Sequence, residues 1–497
     1  MPNIKLHRNS EIKTSSYETG QNLMQIIQAQ GIDISAPCGG NGTCGKCRVK
    51  VKNVGTINSC TYWPDKDIEV ILPNRIESRI LTHQHTNTLK LPLEPSPLAQ
   101  SLTYPIGIAI DIGTTSIVFY WISLITGSII TNVGIINPQV KYGADVISRI
   151  NFTCNKNGLI TLQRELIDAI NKQISDFSIS ESIAIENIAK ISVSANTTML
   201  HLLAGVNPLP IALAPFNAPF TESKIFKSDD LGILAHQEAH IELLPSISAY
   251  VGADIVSGLA ALQPPAAIKN YLFIDIGTNG EMALVTQDQI YCCATAAGPA
   301  FEGANIFCGM GAFDGAISIY NENGYQTISD EKPIGICGSG LLDIVAYLLE
   351  KGVLTSDGEL HEDYVVASKD ASGKGEAIVI TPTDIREVQL AKSAVYTGIK
   401  LLMLEANMSF EQLDAVYLAG GFGNYLNPES ATTIGLLPQE VKGKIITVGN
   451  TSGAGAVLHT LSPKFSNYTL SIIEKSKLIE LANHPEFEME FAMNMYF

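Results

Sequence analysis

Positive charge is scarce in this chain. Of 497 residues, 32 are Lys or Arg and 49 are Asp or Glu, so the formal net charge is 32 − 49 = −17. Nucleic-acid binding needs a concentrated basic surface and is not expected. Adhesion to anionic lipid by charge is not expected either. Charged residues of both signs make up only 16 %, against about 25 % in typical globular domains. The opening segment MPNIKLHRNSEIK has no apolar signal-peptide core, so a cytoplasmic, soluble protein is expected. No long apolar run goes uninterrupted. The most apolar stretch, 106–136, is broken by Asp111, Gly113, Thr114, Thr115, Ser116, Ser123, Thr126, Gly127 and Ser128. It reads as two buried strands joined by a turn at Thr126 and Gly127 rather than as a membrane span.

Apolar residues and glycine are plentiful. With 46 % hydrophobic residues and 41 Gly, the chain can bury a large core and make many tight turns, which excludes global disorder. The length corresponds to about three folding units. Nine cysteines, an odd number without a secretory signal, argue against a disulfide framework. Cys154, Cys292, Cys293, Cys308 and Cys337 are scattered and read as small buried residues. The other four, Cys38, Cys44, Cys47 and Cys60, fall within 23 positions.

Three of these follow C-x5-C-x2-C spacing in APCGGNGTCGKC. A structural zinc site normally adds a second short-spaced pair or histidines, and the nearest histidines here are His83 and His85. Iron–sulfur binding accounts better for Gly39, Gly40, Gly42 and Gly45, because a loop around a cluster must turn tightly and aim N–H groups at sulfide. The flanks suit a β-grasp unit. Ile4 and Leu6 alternate with polar residues, residues 7–11 turn, and Ile12 begins a return strand. A helix is expected over 22–31 with Leu23, Ile26 and Ile27 on one face, and a last strand over 68–72. The segment resembles plant- or adrenodoxin-type [2Fe–2S] ferredoxins. That resemblance implies Cys38, Cys44, Cys47 and Cys60 as metal ligands. Pro73, Pro92, Pro95, Pro97 and Pro105 then mark a linker.

A strand ending in Asp111-Ile112-Gly113-Thr114-Thr115 recurs 164 residues later as Asp275-Ile276-Gly277-Thr278-Asn279-Gly280. A repeat at this distance implies two similar lobes. Glycine lets backbone approach a phosphate, Gly113, Thr114, Thr115, Gly277, Thr278, Asn279 and Gly280 can contact it, and Asp111 and Asp275 can hold hydrated Mg²⁺ or position water. Small-residue helices are expected at 250–259 and 451–457, suited to two lobes crossing closely. Between them, 416–424 reads as a strand entering a glycine turn, with Gly420, Gly421 and Gly423 set against a nucleoside. This order resembles the actin, sugar-kinase and Hsp70 ATPase superfamily over 105–463. The expected fold class is therefore α/β: an N-terminal β-grasp [2Fe–2S] ferredoxin-like domain (1–74), a linker (75–104), two actin/Hsp70/sugar-kinase-like lobes with ribonuclease-H-like repeats (105–265 and 266–463, the latter with a return helix to the first lobe), and a C-terminal extension (464–497).

A ferredoxin domain joined to such an ATPase resembles the reductive activators of corrinoid proteins. Residues 194–201 (SANTTMLH), 297–304 (AGPAFEGA) and 335–340 (GICGSG) fit that family's pattern. The resemblance implies a [2Fe–2S] cluster, ATP with Mg²⁺, a corrinoid protein of a methyltransferase system as partner, an upstream low-potential electron donor, and a homodimer. It implies that Co(II) corrinoid is reduced to Co(I). A plant-type cluster lies near roughly −400 mV, above the couple expected for the corrinoid, which gives ATP a purpose. The alternatives are a small-molecule kinase carrying a ferredoxin domain, or an ATP-switched redox sensor. The chain is expected to lack the family's intermediate domain, and no cysteine follows Cys337. His201 is read as a core histidine or a corrinoid contact, Glu302 as a base or a capping or surface residue, and 472–481 as an amphipathic segment packed on the ATPase.

Overall fold

A computed structural model describes residues 1–8, 11–30, 32, 34, 42, 47–72, 89–277 and 279–497. Near the N-terminus, β1 (Asn3–Arg8), β2 (Glu11–Ser16), β3 (Arg48–Val51), β4 (Gly55–Asn58) and β5 (Ile68–Ile71) form one sheet in the order β2-β1-β5-β3-β4. The central pair, β1 and β5, is parallel, as a β-grasp requires. Residues 7, 8 and 11, expected in a turn, are strand residues instead. Helix α1 (Leu23–Ala29) begins at a capping box between Asn22 and Gln25, which satisfies otherwise orphaned N–H groups. It buries Leu23, Ile26 and Ile27 against Ile4, Leu6, Val49 and Val70.

The second sheet runs β10-β11-β9-β6-β7-β8, from β6 (Ile106–Ile112), β7 (Ser116–Ser123), β8 (Ile129–Ile136), β9 (Ile188–Ala195), β10 (Lys224–Lys227) and β11 (His240–Leu243). Residues 106–136 thus make three strands where two were expected. The Asp-x-Gly-Thr-Thr unit is itself a hairpin turn, and β8 is a half-exposed edge strand. The third sheet repeats the plan. There β12 (Tyr271–Ile276), β13 (Gly280–Val285) and β14 (Ile290–Thr295) form an antiparallel meander, and the strand Ala415–Ala419 pairs in parallel with β12. In the second sheet β9 holds the same place beside β6.

Two helices cross between these sheets: Ala253–Ala261 and Thr451–Leu461. Glycine permits the approach. A Cβ on Gly455 would lie 2.5 Å from the Ser257 carbonyl oxygen, and one on Gly258 would lie 2.8 Å from Thr451 Oγ1. Although it follows the third sheet in sequence, Thr451–Leu461 packs on the second, burying Ala454 and Leu458 with Ile106, Ile108 and Ile110. Its far end is pinned where Lys190 Nζ donates to the His459 carbonyl at 2.7 Å.

Residues 73–88 of the expected linker lie outside the described residues. The remainder is fastened down: the Leu89 N–H donates to the Ala261 carbonyl, and α2 (Pro97–Ser101) buries Ala99. Residues 472–481 do not form one amphipathic segment. Helix Phe465–Lys475 ends there, and Ser476–Leu478 adds a strand beside β14. No helix among the described residues is long and apolar enough to cross a membrane.

Candidate functional site

Cys47 leads into β3, and Cys60 sits in the short turn Ser59–Thr61 between β4 and β5. The Ser59 N–H donates to the Cys47 carbonyl at 2.9 Å, tying the two segments together. Both thiols are buried, and the Cys47 Sγ donates to the Cys60 Sγ at 3.2 Å. Gly42 has φ +78°, and a Cβ there would be 2.8 Å from Thr61 Cγ2, so the backbone at Gly42 lies against the Cys60 turn. Two adjacent soft donors fit iron ligation. Cys38, Cys44, Gly39, Gly40 and Gly45 lie outside the described residues. Of the scattered cysteines, Cys292, Cys293 and Cys337 are buried as expected, Cys308 is half-buried, and Cys154 is exposed. Cys154 closes a surface helix, Val146–Thr153, as its C-cap, which explains that departure.

The two repeated turns face one cleft. In the first, the Gly113 N–H donates to the Ser116 carbonyl at 2.8 Å, and Asn137 Nδ2 donates to the Gly113 carbonyl at 2.8 Å. Asn196 Nδ2 donates to Thr114 Oγ1 at 3.3 Å, and Arg149 donates to the Thr114 carbonyl. In the second, the Gly277 N–H donates to the Asn279 carbonyl at 2.9 Å; Thr278 lies outside the described residues. Glu302 joins the turns. Its Oε2 accepts from Thr115 Oγ1 at 2.9 Å, and its Oε1 would be 3.4 Å from a Cβ on Gly277. Gly298, not Glu302, caps the short helix Pro299–Glu302. Gly280 is buried at the start of β13, where a Cβ would meet Thr295 Oγ1 at 2.7 Å. Strand packing, rather than the cleft, accounts for that glycine.

Asp111 and Asp275 occupy equivalent places, one residue before the end of β6 and of β12. Asp111 accepts from Asn450 Nδ2 at 2.8 Å and from Ser452 Oγ at 2.6 Å. Ser452 Oγ also lies 2.9 Å from Ser194 Oγ, which lies 2.7 Å from Ser257 Oγ. Asp275 receives no side-chain hydrogen bond from a described residue. Burial, with repulsion from Asp111 and Glu302, pushes its carboxyl up to about 7. Burial and the Asp275 charge also raise Asp254, in the first turn of the helix Ala253–Ala261. Glu281, opposite Asp275 in the β12–β13 register, is raised by burial and by Asp254. Negative charge confined in this way is relieved by a divalent cation. Among the described residues no three such side chains converge tightly enough to hold a metal by themselves. Mg²⁺ in general keeps several waters and binds through one or two carboxylates plus phosphate.

Gly420 and Gly421 are not in a turn as expected; they open a short helix, Gly420–Tyr425. Gly420 has φ +80°, and a Cβ there would lie 2.3 Å from Asp275 Oδ1, so only glycine leaves the carboxylate in place. Gly421 borders open space, whereas Gly423 packs on Leu418. Phe422 stacks on Phe301 with centroids 5.1 Å apart, joining this helix to the segment that carries Glu302. His201 is a satisfied core residue: Nδ1 lies 2.7 Å from the Thr197 carbonyl, Nε2 accepts from the Phe220 N–H at 3.3 Å, and the ring stacks on Phe220.

Sequence reasoning missed Asn450, Ser452, Asp254, Glu281 and Arg149. Asp254 could have been found as the only charged residue of its small-residue helix. Asn450 and Ser452 bracket the start of the second such helix. Arg149 carried no local signal.

Comparison with known proteins follows the same outline. A 2Fe-2S iron-sulfur cluster binding domain matches residues 7–69, the RACo middle region matches 106–264, and the C-terminal domain of RACo, the ASKHA domain, matches 269–497. A solved structure titled reductive activator for corrinoid,iron-sulfur protein superposes over 100 % of this chain and 98 % of its own, with a TM-score of 0.71 and 28 % identity. The chain belongs to the family of reductive activators of corrinoid proteins. Its fold is accordingly a ferredoxin-like domain followed by an actin/sugar-kinase-like ATPase fold. The corrinoid activation enzyme RamQ of Eubacterium limosum is 29 % identical over 96 % of both chains. The [Co(II) methylated amine-specific corrinoid protein] reductase of Methanosarcina barkeri is 26 % identical over 70 % of this chain and 68 % of its own. The expected lack of an intermediate domain is overturned, because the family's middle region coincides with the stretch read as the first lobe.

Proposed function

We propose that this chain reduces Co(II) corrinoid on a methyltransferase-system partner to Co(I), passing one electron from a [2Fe–2S] cluster and using ATP hydrolysis to drive the transfer. The observation that carries the reading is the presence, in one chain, of paired buried thiols on a β-grasp sheet and a two-turn cleft walled by carboxylates. Full-length similarity to proteins named as corrinoid activators supports it.

Cys47 and Cys60, with Cys38 and Cys44, are assigned as the cluster ligands; when bound, the cluster supplies a one-electron donor. Gly113, Thr114, Thr115, Gly277, Thr278 and Asn279 are assigned to the phosphates, and Gly420 and Gly421 to the nucleoside side. Asp111, held by Asn450 and Ser452, is the fixed carboxylate for hydrated Mg²⁺. Asp275 titrates near neutral pH, which suits a group that takes a proton from attacking water. Each step of about 59 mV uphill costs about 1.4 kcal/mol for one electron. Closure on ATP can meet that cost only by binding the reduced and oxidised partner complexes unequally. We place the functional units at 1–74, 75–104, 105–265, 266–463 and 464–497, with a homodimer as the assembly and a low-potential donor upstream.

The test uses the anaerobically reconstituted full chain and a Co(II) corrinoid protein, with Co(I) formation followed optically. Cys60→Ser should abolish Co(I) formation with or without ATP. Asp275→Ala should abolish only the ATP-dependent part. Unchanged ATP-dependent reduction by Asp275→Ala would discard the assignment.

A further inference from the structure

Arg149 is wholly inaccessible to solvent. Its guanidinium donates to the carbonyls of Gly143 (2.9 Å) and Thr114, and to Gln139 Oε1 (3.2 Å); Met199 Sδ lies 3.3 Å away. All four partners are neutral. Among the described residues no carboxylate pairs with it. Asp145, the nearest in sequence, is engaged by the N–H and hydroxyl of Ser148 at 2.8 and 2.7 Å. A lone buried cation is costly unless an anion compensates it. Burial accordingly lowers the guanidinium to about 9, while Asp145 and Glu302 oppose that shift.

The charge lies directly behind the first turn. On the cleft side of the same turn, the carboxylate of Glu302 accepts from Thr115 Oγ1 at 2.9 Å and borders Gly277 of the second turn. Glu302 thus sets a carboxylate between the two turns, in front of a buried cation.

We propose that Glu302 is a built-in stand-in for the nucleotide's terminal phosphate, and that Arg149 is the positioning residue whose buried charge makes this place select an anion. Phosphate and the Glu302 carboxylate then compete. A nucleotide must displace the Glu302 contact, releasing a second-lobe segment that Phe301 and Phe422 connect to the Gly420 helix. The inference rests on the ATP reading above and names two residues that set affinity rather than perform chemistry.

Calorimetric titration of the reconstituted full chain with Mg²⁺ and a non-hydrolysable ATP analogue, ADP or AMP tests it. Glu302→Gln should tighten the triphosphate analogue by at least about fivefold, the low end of coupling between linked groups, and leave AMP unchanged. Arg149→Met should weaken the triphosphate by a similar factor, and Arg149→Lys by less. Weaker triphosphate binding by Glu302→Gln, or an equal change for AMP, would overturn the stand-in. Wild-type affinity in Arg149→Met with an unchanged melting temperature would overturn the role of Arg149. If wild-type protein binds none of the three nucleotides, the ATP reading itself fails.

Discussion

Asp111 and Asp275 end equivalent strands, precede near-identical turns and face one cleft, yet they live in different electrostatic settings. Asp111 is met by Asn450 and Ser452 at the start of a helix whose N-cap, Asn450, lies 339 residues further along. Asp275 meets Gly420 instead, whose missing side chain leaves it room and supplies no donor. Burial raises both carboxyls; at Asp111 the hydrogen bonds from Ser452 and Asn450 oppose the rise, while at Asp275 the charges of Asp111 and Glu302 add to it and push the group up to about 7. A repeated motif thus provides two copies of a backbone turn, and the surrounding fold gives the two copies different chemistry.

The comparison can be broken most sharply by hydrolysis rates. Asp275→Asn should lower ATPase turnover by about a hundredfold or more, the scale of a lost general base. Asp111→Asn should act mainly through the Mg²⁺ concentration needed for half-maximal rate. Steady-state assays across a Mg²⁺ series would check this, and identical behaviour of the two variants would remove the distinction.

Stability against pH gives the next contrast. A carboxyl whose folded pKa exceeds its unfolded value of about 3.9 weakens the fold wherever it must ionise. For Asp275 that penalty is absent below about pH 4, grows up to pH 7, and is constant above. Nucleotide-free Asp275→Asn should therefore gain as much as roughly 4 kcal/mol over wild type at pH 8, and nothing near pH 4. Chemical denaturation at both pH values measures it.

A smaller effect tests the crossing helices that bring Asp111 its partners. Gly455→Ala forces a Cβ toward the Ser257 carbonyl, at 2.5 Å before relaxation, and should cost about 1–3 kcal/mol as overpacking. Smallest is Ser452→Ala, which removes one donor from Asp111 and should cost about 1 kcal/mol in stability, read as a lower denaturation midpoint. If neither variant moves the midpoint, the helix crossing does not hold the site.

What was legible in the sequence was local. Strand–Asp–x–Gly turns and the small-residue helices depend on backbone and packing needs within about ten residues, and those elements lie where the spacing put them. Short-range reading faltered where a terminus depended on a distant neighbour: the third strand at 129–136, the strand at 476–478, and Gly280, which serves packing against Thr295.

The amino-acid sequence by itself determined that two strand–Asp–x–Gly turns and one cluster of four closely spaced cysteines exist, because turn geometry and thiol spacing are written in adjacent residues. Only the tertiary structure decided that Asp111 would receive hydrogen bonds while Asp275 would face neighbouring charge instead, and that Glu302 would reach Thr115 across 187 residues of chain. Electrostatics depends on separation in space and on water excluded by packing, and neither is encoded in the neighbours along the chain.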